Sequence, residues 1–285
     1  MPDFIIVGAM KCATSTLHDQ LAVQDGIFMS TPKEPNFFSD DGVYKNGIDW
    51  YSRLFSDPNA VLNGESSTHY TKFPTYPLTI ERMLEHGLQG TKLIYVMRHP
   101  IQRLVSHYIH EWSQGIYKVD INDAVNTYSE LVNYSRYHYQ LGHYLQHFSS
   151  NQILPMFYES LISRPEEELL RACEFIGYQG NPKWNYDMDA QNVSSQRIRK
   201  FPLYSLLIDS PILAFLRRSL VPQAVRDRVK TSLTMKERPQ LSDANNEKLC
   251  SIFDEDLASL GALFNMNLSC ATFKGEALKQ FPSIV

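Results

Sequence analysis

The sequence predicts an α/β fold, a central parallel sheet flanked by helices, as one domain over residues 1–285. Three strand-then-helix units predict it. "DFIIVGA" leads into a helical pattern from Thr14, "TKLIYVM" leads into "IQRLVSHYIHEW", and "QILPMFY" leads into "ELLRACEFIGY". The first two strands are apolar along their whole length rather than alternating, as in a parallel sheet covered on both faces.

Each element has its own local reason. Gly8 ends the first strand, and residues 14–23 put Leu17 and Leu21 on one helix face, four apart. After "TKLIYVM", Arg98-His99-Pro100 form the turn. Pro100 suits a first helical turn, where a missing N–H costs nothing, and Leu104, Tyr108 and Trp112 then fall in line. Tyr137, Leu141, Tyr144, Leu145 and Phe148 trace another helical stripe. Pro155 inside "QILPMFY" marks an edge strand. Ser163 and Glu166 have capping-box spacing ahead of the next helix, and Gly177 can close it. The last helix runs from about 243 to 263 with Leu249, Ile252, Phe253, Leu257 and Leu260 inward. Residues 178–204 are the least regular stretch. Their segment "SSQRIRK" reads on charge alone as a solvated loop.

Composition narrows the function. With 27 basic and 31 acidic side chains the net charge is −4, which argues against a general nucleic-acid binder. Any anionic ligand must therefore be held by local cations. The start "MPDF" lacks the basic region of a signal peptide, and no apolar stretch reaches membrane-spanning length. Cys12, Cys173, Cys250 and Cys270 show no C-x-x-C or metal-ligand spacing. A reduced, cytoplasmic setting without a structural metal is the expectation.

Two loops carry chemistry. In "VGAMKCATST" a strand end feeds a helix N-terminus, whose unpaired N–H groups and positive dipole end attract phosphate. Gly8 lets the chain turn closely around a ligand; Lys11 adds a charge, and Thr14, Ser15 and Thr16 add hydroxyls. Yet the loop lacks G-x-x-x-x-G-K-S/T, the pattern that also places a magnesium ligand. An ordinary strand–helix turn with an exposed lysine remains open at this level. In the second loop, Arg98 stands at a strand end, the edge where open α/β sheets bind ligands. Ser106 follows two helical turns later, within reach of the same phosphate.

"VGAMKCATSTLHDQL" together with "KLIYVMRHPIQRLVSHYIHEW" resembles the two nucleotide motifs of sulfotransferases that use 3′-phosphoadenosine 5′-phosphosulfate (PAPS). The branch resembled most is the heparan-sulfate-type and bacterial carbohydrate or metabolite group. "TPKEPNFFSD", "NGIDWYSRLF", "GESSTHY", "ILPMFYESLISRPEEELLRACEFIGY" and "LFNMNLSC" are similar to further family segments in the family's order. The resemblance implies a P-loop-like sulfotransferase fold. It also implies a first loop (Gly8, Lys11, Cys12, Ala13, Thr14, Ser15, Thr16) on the 5′-phosphosulfate, and Arg98 with Ser106 on the 3′-phosphate.

By the same resemblance Lys11 stabilises the leaving 5′-phosphate and Glu34 is the general base, with His69 a second candidate. Many heparan-type members carry a lysine where Ser66 stands, so no catalytic role is carried onto Ser66. Arg197, Arg199 and Lys200 correspond to a late loop that closes on the 3′-phosphate, although the family's Lys-Gly-Arg triplet is absent. Sulfuryl transfer moves less negative charge than phosphoryl transfer, so no metal is expected; the product is adenosine 3′,5′-bisphosphate (PAP). The acceptor is expected to be an intracellular glycan, lipid or other metabolite, met by a soluble bacterial-type enzyme. The rival reading is a P-loop kinase using ATP and magnesium, disfavoured by the missing Gly-Lys-Ser/Thr.

Overall fold

A computed structural model describes residues 1–188, 235 and 237–285. Five parallel strands form one sheet in the order β2-β3-β1-β4-β5. They are β1 (Phe4–Gly8), β2 (Ile27–Met29), β3 (Leu62–Ser66), β4 (Lys92–Met97) and β5 (Ile153–Phe157). β1 is buried at every residue because it lies mid-sheet, with Ile5 opposite Glu65 of β3 on one side and Leu93 of β4 on the other. β2 is a strand that the sequence reading passed over. Among the described residues β5 pairs only with β4, which puts Pro155 on an edge strand.

The order of the strands decides where a ligand can sit. From β1 the chain crosses past β3 to β2; from β4 it crosses the other way to β5. The reversal falls between the neighbours β1 and β4, and the crevice beyond the carboxyl ends of such a pair is the usual ligand position in open α/β sheets. The loops at those two ends are residues 9–13 and 98–99.

Twelve α-helices are described: α1 (Thr14–Ala22), α2 (Asp41–Tyr44), α3 (Ile48–Ser52), α4 (Thr79–Glu85), α5 (Pro100–Ser113), α6 (Ile121–Thr127), α7 (Glu130–Asn133), α8 (Tyr137–Leu145), α9 (Tyr158–Ser163), α10 (Pro165–Ile176), α11 (Asp243–Phe264) and α12 (Phe273–Lys279). α1 packs with α10, and α11 packs on both α5 and α8. The main core joins the sheet to Leu17, Leu21, Tyr137, Leu141, Leu169 and Leu257; a second cluster joins Leu104, Tyr108, Tyr117 and Phe253. α5 begins with Pro100, and Gly177 closes α10 at φ 88°, both as expected from sequence. The capping box at Ser163 is not formed. Ser163 is the last residue of α9, its hydroxyl donates to the Ser160 carbonyl at 3.3 Å, and Arg164 is the N-cap instead.

Candidate active site

The loop after β1 is built for an anion. The Ala9 N–H still donates to Val96 of β4 at 2.8 Å, so the loop starts under the control of the sheet. Lys11 and Ala13 then take left-handed backbone, φ 72° and 61°. Glycine fits such positions best, and here a lysine and an alanine are held in them. The turn delivers the chain to α1, whose N-cap is Ala13 and whose first turn no side chain caps. Its leading N–H groups therefore face the crevice beside Thr14, Ser15 and Thr16. Gly8 is fixed by close approach: a Cβ there would lie 1.9 Å from Thr71 Oγ1, the hydroxyl that donates to the Val7 carbonyl at 3.0 Å.

Cys12 sits differently from its neighbours. Its thiol is fully buried, burial pushes it up to about 12, and its N–H already donates to the Ala9 carbonyl at 3.2 Å. The resemblance implied contact with the donor nucleotide at this position; the side chain closes the turn from inside.

The loop after β4 meets the first loop through Arg98, whose Nη1 donates to the Lys11 carbonyl at 3.3 Å. The guanidinium lies 4.2 Å from the Tyr158 ring centre, so this tyrosine belongs to the site wall rather than the deep core. Arg98 Nε is buried and has no hydrogen-bond partner among the described residues. A buried donor left in that state is costly and marks a place where a ligand oxygen fits. Ser106 lies on the buried face of α5, two turns in.

A second arginine, which the sequence reading missed, shares this corner. Arg238 and Arg98 line one cavity of about 390 Å³ with Gln102, Val105 and Asn246. Partial burial lowers the Arg238 guanidinium from the usual arginine range, and the like charge of Arg98 lowers it further. An anion entering this cavity would meet both guanidiniums. Arg197, Arg199 and Lys200 lie outside the described residues. Behind the corner, Arg103 is completely buried, with Nε donating to Ser135 Oγ at 2.5 Å and Nη2 to the Leu131 carbonyl at 2.9 Å. It adds fixed positive charge under the loop.

Glu34 approaches from the segment that follows β2. Its N–H donates to the Ser66 carbonyl at 3.1 Å, extending the pairing along β3, and its own φ is 54°. Lys33 Nζ donates to Ser15 Oγ at 2.6 Å and stands 3.4 Å from Glu34 Oε1. One side chain thus spans the first turn of α1 and the candidate base. Ser66 is buried beneath, its hydroxyl without a partner among the described residues.

The remaining titratable groups sort by environment. His69 stacks on Tyr76 at 4.6 Å and 14°, and burial, with Lys72 as a second cause, lowers it to about 4, so it is neutral near pH 7. His99 bonds the Cys270 carbonyl at 2.9 Å and packs edge-on to Phe273, a structural turn residue. Lys72 lies 5.9 Å from the Tyr134 ring centre; burial lowers it to about 8 against the pull of Glu111 and Glu34. Among the described residues, no group of three or more His, Cys, Asp or Glu is placed to hold a metal ion, and no helix is long and apolar enough to cross a membrane.

Known proteins share this frame. Human heparan sulfate glucosamine 3-O-sulfotransferase 3B1 is 30% identical over 188 residues, 62% of this chain and 46% of that protein. The membrane-associated sulfotransferase kil1 of Dictyostelium discoideum is 33% identical over 112 residues, 38% of this chain and 22% of that protein. The chain thus spans about half or less of the length of these curated relatives. In structure, a sulfotransferase from Alicyclobacillus acidocaldarius aligns with a TM-score of 0.64 at 22% identity, covering 94% of this chain and 97% of that one. Mouse sulfotransferase SULT7A1, solved with PAP, aligns with a TM-score of 0.51 at 15% identity, covering 97% and 89%. Both likenesses show the fold. The description "Sulfotransferase domain" fits residues 1–261 as a family model, and by that match over most of its length the chain belongs to the sulfotransferase domain family.

Proposed function

We propose that the protein transfers the sulfuryl group of PAPS to a hydroxyl or amine of a glycan, lipid or other metabolite. The observation that carries this reading is the Lys33 bridge, which joins the phosphate-type loop at Ser15 to Glu34. An anion-binding loop and a carboxylate base then face one crevice at the switch point of the sheet.

The donor supplies an S–O bond with a phosphate as leaving group. The first-turn amides of α1, Lys11 and the hydroxyls of Thr14, Ser15 and Thr16 would hold its 5′ end. Arg98, Ser106 and Arg238 would hold the 3′-phosphate, where the buried Arg98 Nε lacks a partner among the described residues. Lys11 keeps positive charge beside the departing phosphate; removing one preorganised donor of this kind typically lowers the rate about 10²–10³-fold. Glu34 takes the proton from the acceptor onto its carboxylate, a step worth roughly 10²–10⁴-fold. Lys33 orients that carboxylate. The positive charge comes from side chains, so donor binding is expected without a divalent ion.

Calorimetry with PAP in the presence of EDTA tests the site, and radiolabelled PAPS with a host-cell extract as acceptor tests the reaction. Lys11→Ala and Glu34→Gln are each expected to abolish most label transfer, with PAP affinity in Glu34→Gln within about twofold of wild type. Binding of ATP with magnesium but not of PAP would overturn the reading, and unchanged transfer in either variant would overturn that residue's role.

A further inference from the structure

Glu65 lies in the middle of the sheet opposite Ile5 and is completely buried. A carboxyl group there needs hydrogen bonds in place of water. Three hydroxyls surround it. Tyr51 Oη donates to Oε2 and Ser67 Oγ donates to Oε1 at 2.5 Å, with the Tyr70 hydroxyl beside the same carboxyl.

Two of those hydroxyls continue toward Glu34. Ser67 Oγ accepts the Asn36 N–H at 3.0 Å, and Tyr70 Oη accepts the Phe38 N–H at 3.4 Å. With the Glu34 N–H on the Ser66 carbonyl, residues 34, 36 and 38 are fastened in turn to residues 66, 67 and 70. The segment needs fastening, because Glu34 and Asn36 both sit at φ 54°. Left-handed backbone in a non-glycine residue is strained and persists only where its surroundings hold it.

The chemistry gives the chain of bonds a direction. A hydroxyl has one proton to give. Burial raises the Glu65 carboxyl above the usual range, and its hydroxyl neighbours pull against that. In the ionised form it accepts only, so it draws the protons of Ser67 and Tyr70 to itself and leaves their lone pairs facing the amides of Asn36 and Phe38. An amide in the same place could donate, which would turn a hydroxyl proton against a backbone N–H.

We propose that Glu65 is a positioning residue for Glu34: its carboxylate sets the polarity of the Ser67 and Tyr70 hydroxyls, and these fix the backbone that aims the base at the acceptor. This rests on Glu34 being the general base. Ser67 N–H also donates to the Ile6 carbonyl at 3.1 Å, so the base is referenced to β1, the strand that leads into the loop of Lys11. Catalytic base and leaving-group cation share one datum.

The test compares Ser67→Ala, Tyr70→Phe and Glu65→Gln with Glu34→Gln. It reads label transfer from saturating radiolabelled PAPS into a fixed host-cell extract, and PAP affinity by calorimetry. Each of the first three is expected to slow transfer about 10–100-fold while the apparent KM for PAPS and the PAP affinity stay within twofold. Added to Glu34→Gln, Ser67→Ala should lower the residual rate by less than twofold, because it acts through the base. Full transfer in both Ser67→Ala and Tyr70→Phe, beside an inactive Glu34→Gln, overturns the positioning role alone. Full transfer in Glu34→Gln overturns the base assignment and this proposal with it.

Discussion

Lys11, Ala13, Glu34 and Asn36 are four of the five non-glycine residues with positive φ among the described residues. All four belong to the two loops that meet through Lys33, where strained backbone shapes a site at a stability cost. Lys72 shows the same trade in charge. Its ammonium is held near pKa 8 in the folded chain by burial, against about 10.4 when unfolded. Between those values the unfolded chain binds more protons, so wild-type stability from this group rises with pH, and the penalty is fully present below pH 8. Lys72→Met is therefore expected to melt at or above wild type at pH 7, with the gap narrowing as pH rises through 8 toward 10.5. A gap independent of pH in thermal melts would contradict it. Lys11 and Arg98 could be singled out because each stands just past an apolar strand, whereas Glu34 could be singled out only through the family resemblance of "TPKEPNFFSD". Lys72, Arg103 and Arg238 could not be, since their roles arise from burial and from segments distant in sequence.

β3 brings the elements of the site together, and Gly64 shows how tightly. A Cβ at Gly64 would lie 2.3 Å from Phe4 Cζ on β1 and 2.4 Å from Met29 Sδ on β2. Gly64→Ala must displace the buried ends of both side chains, and overpacking of this kind costs about 1–3 kcal/mol. The variant is expected to melt at lower temperature and to transfer sulfate more slowly, because Glu65, Ser66 and Ser67 follow directly. An unchanged melting temperature would show that Phe4 and Met29 repack around the added methyl at no cost. At this scale β1, β4, α5 and α11 could be read from apolar runs and helical spacing, and β5 with its edge position from Pro155. β2 could not, being three residues with no alternation to display. The Ser163 cap failed because spacing alone cannot see that α9 already occupies 158–163.

For the whole molecule, the proposed donor site joins segments distant in sequence: residues 8–16, residues 98–106 and Arg238. Ligand binding is then linked to folding of the entire frame. PAP at 100 times its Kd is expected to stabilise the protein by about 2.7 kcal/mol, seen as a rise in melting temperature. Arg238→Ala should weaken PAP by about tenfold. A charge-assisted hydrogen bond is worth about 1.5–3 kcal/mol, and an exposed side chain gives up part of that to solvent. Equal PAP affinity in wild type and variant would remove Arg238 from the site.

Pro155 carries a consequence for assembly. It stands in β5 without an N–H, and its carbonyl accepts from Arg171 Nη2 at 2.6 Å, a guanidinium that also reaches the Pro282 carbonyl at 2.6 Å. At that point a visiting strand would find neither a free N–H nor a free carbonyl, which disfavours edge-to-edge pairing there.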